Sequence, residues 1–131
     1  MTMIEEVINE ILMFMGTLMI VVGAIADLIG SIGLLRFPNF FVRLHAATVG
    51  TIWGAFVPLI GAALFAAGYV ELGTYRWFVA GGAVVTALLI LLLGPVGSHA
   101  LARASYRSKA AIPHPLIHDA LKEKLGEGEK K

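Results

Sequence analysis

Long apolar runs, rather than alternation of apolar and polar positions, organise this chain. Three of them reach the roughly 20 residues that a helix needs to cross the hydrocarbon core of a bilayer. The first extends over about residues 8–35 and is interrupted only by Glu10 near its start and by Asp27. The second, 44–70, and the third, 77–102, contain no Asp, Glu, Lys or Arg. A spanning segment must satisfy its own backbone, so each run is predicted to be a helix. The expectation is an all-α integral membrane protein with three transmembrane helices, forming a membrane domain over residues 1–107. Residues 108–131 form a polar tail. There Pro113 and Pro115 forbid a regular helix, while the apolar spacing from Leu116 to Leu125 predicts a short one.

Composition sharpens this picture. Of the 131 residues, 58% are hydrophobic and 15% are charged, against about 25% charged in an average soluble domain. The mean hydropathy of +0.84 leaves too little polar surface to cover a water-soluble core. A soluble enzyme is therefore excluded. There is no cysteine, so disulfide and thiolate chemistry are absent, and the four histidines are scattered. A net charge of +1 with no domain-wide basic field argues against nucleic acid.

Charge placement predicts orientation. No Lys or Arg precedes the first run, Arg36 and Arg43 follow it, Arg76 stands alone in the second connection, and the remainder lie in the tail. By the positive-inside rule the N-terminus is outside and the C-terminal tail cytoplasmic, in a multi-pass protein of the cell membrane. The acidic leader Glu5, Glu6 and Glu10 is unlike the basic start of a cleaved signal, so the first run is read as a retained helix. Glu71 to Arg76 is a short outer turn with Gly73 as its breaker.

A few residues carry candidate chemistry. Asp27 costs at least about 2.5 kcal/mol at membrane depth if ionised, so it faces an ion path, a cavity or a partnering base. It precedes Arg36 by nine positions, roughly 13 Å of helix, which places it between the midplane and the inner surface. Thr48, Thr51 and Ser31 are neutral oxygen ligands for a cation or, alternatively, groups bonded back to their own helix. His45 is a proton shuttle or a structural donor, and no second ligand stands at metal spacing from it. Arg36 and Arg43 share one side if the segment between them is helical, but Pro38 makes Phe37 extended and ends the first helix. Pro58 and Pro95 release carbonyls near Gly54 and Leu91, giving kinks or cation-lining oxygens. Glycines recur at helical spacing. Gly23, Gly30, Gly54 and Gly61 mark close-packing faces, used within the chain or against other subunits. No internal repeat of the kind that builds a complete secondary transporter is present, so three helices predict a part of a larger assembly.

Two segments carry a family resemblance. The run GSIGLLRFPNFFVRLHAATVGTIWG, Gly30 to Gly54, resembles the signature of the small G subunit of Mrp-type multisubunit Na⁺/H⁺ antiporters, approximately GxxGLLRFPDFYxRLHAATKxxxLG. GPVGSHALARASYRS, Gly94 to Ser108, is similar to that family's closing stretch, approximately PVxAHxIxRAAYRxG. With the three-run layout the likeness covers about residues 7–125. Asn39 and Val49 replace the family's acidic residue and lysine, so no role for those charges transfers to this chain. Asp27 lies outside the family pattern. The resemblance implies a small accessory subunit, not an enzyme by itself and without a cofactor, packed in lipid beside the E and F subunits and the end of the A subunit. The proton-channel residues of that family belong to its large A and D subunits, and the small subunits help to shape a Na⁺ route. Homologous modules serve archaeal membrane-bound hydrogenases and sulfur-reducing complexes, so hydrogenase or sulfur reductase subunits are implied as alternative partners.

Overall fold

A computed structural model describes residues 2–110. It contains α1 (Met3–Arg36), α2 (Phe40–Gly50), a π-helical segment (Thr51–Phe56), α3 (Val57–Gly68), a short 3₁₀ turn (Val70–Leu72) and α4 (Tyr75–Arg107). No strand occurs among the described residues. Helices α2, π and α3 run on without a break, so three helices, Met3–Arg36, Phe40–Gly68 and Tyr75–Arg107, are long and apolar enough to span a membrane. Each is a few residues longer than its apolar core. Helix α1 starts early because the Thr2 N–H donates to Glu5 Oε2 at 2.9 Å, satisfying a donor at the helix start. The short helix expected over Leu116 to Leu125, and the polar tail beyond Ala110, lie outside the described residues.

The boundaries follow local chemistry. Phe37 is extended, with φ −71° and ψ 135°, the conformation that the following Pro38 imposes, and α1 ends at Arg36. Arg36 and Arg43 therefore belong to different helices, and the shared face that a continuous helix would give them does not exist. Instead Arg43 Nε donates to the Phe37 carbonyl at 2.5 Å and ties the connection down. At the opposite end Gly73 takes φ +56°, which an L side chain rarely adopts, and turns the chain into α4. Next to this turn the Tyr69 hydroxyl donates to Glu71 Oε2 at 2.5 Å. That bond, with the carboxylate's negative charge, holds the Tyr69 phenol above its ordinary range of about 10. Because the folded value is raised, the bond is complete below pH 10 and is lost as pH rises through the folded value. A Glu71→Gln variant should therefore ionise Tyr69 at lower pH than the parent in an ultraviolet titration.

Helices α1 and α4 both pack on the middle span, which lies between them. The seam is made of glycine and alanine. A Cβ on Gly16 would stand 2.5 Å from the Gly61 carbonyl oxygen, and one on Gly61 would stand 2.6 Å from the Gly16 oxygen. A Cβ on Gly68 would meet the Asn9 oxygen at 2.6 Å. Such proximity of backbones is the ordinary device of helix association in lipid. The buried cluster itself consists of Ala63, Ala66 and Ala80, while Leu28, Leu35, Phe78 and Leu92 are among the many large side chains exposed.

Candidate functional site: an acidic notch beside a π-helical turn

The four glycines singled out from sequence are spent inside the chain. Gly23 receives the Pro58 ring, Gly30 lies against Gly50, Gly61 meets Gly16, and Gly54 accommodates Asp27. Within the chain all four are packing positions. At Gly54 the fit is closest to the chemistry: a Cβ there would lie 2.5 Å from Asp27 Cβ and 2.6 Å from its Oδ1. Asp27 thus sits in a notch that only glycine leaves open, and Gly50 lies one turn away with its own Cβ position 3.6 Å from the same Oδ1.

The notch coincides with the π-helical turn. Pro58 is the second residue of α3 and has no N–H to give to the Gly54 carbonyl. The turn before it is widened, and the Val57 N–H bonds the Ile52 carbonyl five residues back. Single π turns are frequent at functional sites because they displace side chains and unpair carbonyls. Pro95, by contrast, is accommodated inside the continuous α4, where the Ser98 hydroxyl donates to the Pro95 carbonyl at 2.9 Å.

Asp27 opens onto a cleft of about 290 Å³ shared with Ser31 of α1, Thr51 of the π segment and Ile90 of α4. It is exposed in the single chain and has no ion pair or hydrogen bond among the described residues. Thr48 and Thr51 are less available than their hydroxyls imply. Thr48 Oγ1 donates to the Leu44 carbonyl at 3.0 Å and Thr51 Oγ1 to the Ala47 carbonyl at 2.9 Å, so only lone pairs remain to face a cation.

His45 lies elsewhere, in a second cleft of about 290 Å³ between α2 and α4 that it shares with Pro95 and His99. Sequence reasoning missed His99 as its neighbour, because the two are brought together only by the crossing of α2 and α4. No group of three or more His, Cys, Asp or Glu able to hold a metal occurs among the described residues.

Three membrane-length helices packed along a glycine seam define a multi-pass membrane protein. Residues 19–106 match the family model described as Na⁺/H⁺ antiporter subunit, and the chain belongs to that family. It is 32% identical over 108 residues to a Staphylococcus saprophyticus protein named antiporter subunit mnhG2, covering 80% of this chain and 67% of that protein. An UPF0091 protein of Rickettsia conorii is 39% identical over 106 residues, covering 81% and 92% of the two chains. Among solved structures, a chain of the archaeal membrane-bound sulfane sulfur reductase, a respiratory membrane complex, superposes with a TM-score of 0.73 at 30% identity. That match covers 90% of this chain and 99% of the other. A chain of the Mrp complex from Dietzia sp. DQ12-45-1b gives 0.70 at 28% identity, over 86% and 94%.

Proposed function

We propose that the chain is a non-catalytic accessory subunit of a multisubunit cation/proton antiporter module, bound to E-, F- and A-like membrane subunits, and that Asp27 contributes a carboxylate to the module's cation route. The observation that supports this is the unpaired Asp27 carboxylate in the Gly54 notch beside the π turn, open to a cleft with Ser31 and Thr51. A charged group at that depth needs a partner outside lipid, and a passing cation coordinated by carboxylate and hydroxyl oxygens supplies one. The test uses the complete complex in sealed vesicles. Asp27→Leu should lower Na⁺-dependent proton exchange by at least about tenfold, the equivalent of about 1.4 kcal/mol in the barrier, while the subunits still copurify. Unchanged exchange in that variant removes Asp27 from the route.

A second reading has its own support, the close likeness to a subunit of a respiratory complex: the same module joined to a hydrogenase or sulfur reductase. Copurification in mild detergent separates the two. Iron–sulfur or nickel subunits in the eluate would mark the redox assembly, and antiporter subunits alone the free-standing one.

A further inference from the structure

We propose that Asp27, Ser31 and Thr51 form one binding site for a monovalent alkali cation, with the Ser31 hydroxyl as a direct ligand that sets the affinity. This rests on the cation-route reading and names the ligands and the ion class of the site around that carboxylate.

Ser31 departs from the habit of its neighbours. Thr17, Thr48, Thr51 and Thr86 each donate to the carbonyl four residues back, and Ser98 to the carbonyl three back. Such back-bonding is how a helix in lipid engages a hydroxyl that has nothing else to do. The same bond from Ser31 would run to the Asp27 carbonyl, and it is not made: the Ser31 hydroxyl has no hydrogen bond among the described residues. An unengaged hydroxyl at membrane depth costs free energy until something outside its own helix takes it up.

Its position says what does so. Ser31 follows Asp27 by one helical turn, so the two share a side of α1, and both border the cleft that Thr51 also lines. Gly30 packs on Gly50, its Cβ position 3.1 Å from Gly50 Cα, which brings α1 against the segment that carries Thr51. In that contact Asp27 Oδ1 lies toward Gly50 and Gly54. Thr51 has its proton on the Ala47 carbonyl, so its Oγ1 offers lone pairs alone. One anionic and two neutral oxygens therefore border one cleft. Its volume of about 290 Å³ is far above the roughly 10–15 Å³ that a single water needs, so a cation enters with part of its water shell.

Charge selects the valence. Among the residues that border the cleft, Asp27 alone is an Asp, Glu, Lys or Arg. Arg36 is nine residues further along α1, roughly 13 Å away by helical rise. A monovalent ion neutralises the single carboxylate. A divalent ion leaves one positive charge uncompensated at depth, which is costly. Oxygen donors without sulfur or imidazole suit a hard ion and not a soft one.

The chain has no cysteine, so one introduced thiol can report on the site. Ser31→Cys replaces a neutral oxygen by a sulfur that ionises on metal binding and releases its proton to water. Together with the Asp27 carboxylate it then carries two negative charges and a soft donor, a match for Cd²⁺ and no longer for an alkali ion. In the purified complex, Cd²⁺ should slow maleimide labelling at position 31 by at least about tenfold, read by peptide mass spectrometry. In the double variant Asp27→Asn with Ser31→Cys that protection should vanish. In sealed vesicles Ser31→Ala should raise the KM for Na⁺ by about tenfold and keep the maximal rate of exchange. Labelling indifferent to Cd²⁺, protection that persists with Asp27→Asn, or an unchanged KM in Ser31→Ala overturns the proposal. The labelling does not depend on transport. If Asp27→Leu exchanges normally while Ser31→Cys still takes Cd²⁺ through Asp27, the binding site stands and only its place on the route falls.

Discussion

Gly23→Ala should disassemble the membrane domain. The added methyl would run into Pro58 Cγ and stand 2.5 Å from Pro58 Cδ and 2.9 Å from the Trp53 carbonyl oxygen. None of these atoms ends a flexible side chain: two belong to a ring fixed to the backbone and the third is backbone itself. Relief requires α1 to move away from the middle span along their whole seam, because Gly16 and Gly30 pack in the same register on either side. Overpacking of a tight interface costs about 1–3 kcal/mol, and the shortness of these approaches puts Gly23→Ala at or beyond the upper limit. The check is the thermal transition of the purified complex, with Gly81→Ala as the control. Gly81 has nothing within 4 Å of its Cβ position, so the same chemical change there should leave the transition where it was. If both variants melt like the parent, the seam does not hold the chain together.

The second large effect concerns Gly54. Alanine here sets a methyl 2.5 Å from Asp27 Cβ and 2.8 Å from its Cγ, so the carboxylate is expelled from the notch or the helices part. Gly54→Ala should therefore lose both stability and Na⁺-dependent exchange. The double variant Asp27→Gly with Gly54→Ala separates the two losses. Removing the aspartate side chain restores room for the methyl, so stability should recover by a coupling energy of about 0.5–3 kcal/mol. Exchange should not recover, since the carboxylate is gone. Recovery of exchange in the double variant would mean that the notch matters for packing alone. The measurements are the melting transition and exchange in vesicles, made on the same preparations.

What could be read from the chain follows from the range of each interaction. The apolar runs show three spanning helices because lipid punishes every misplaced charge. The Pro38 break and the Gly73 turn are visible because each depends on one residue's own backbone restrictions. Pro58 announced a lost N–H but not its remedy: whether the turn before it widens into a π turn depends on what presses on it. Here Gly23 lies against the proline ring and Asp27 presses on Gly54. The glycine spacing signalled close approach without naming the other side, because packing within a chain and between chains selects the same small residues. Arg36 and Arg43 show the limit of spacing, which has meaning only if the helix between is continuous, and Pro38 already marks the break. His99 acquired its relation to His45 solely through the crossing of α2 and α4, and no local pattern encodes that crossing.

The allotment of side chains has a last consequence. Alanines fill the buried cluster and, among the described residues, no large side chain is fully enclosed, while many leucines and aromatics are exposed. Cohesion in such a molecule is borrowed from its surroundings, so by mass action its persistence tracks the supply of whatever covers those outer faces. Copies synthesised in excess of that supply should be the first to be cleared by membrane proteolysis, making balanced stoichiometry a property written into the fold.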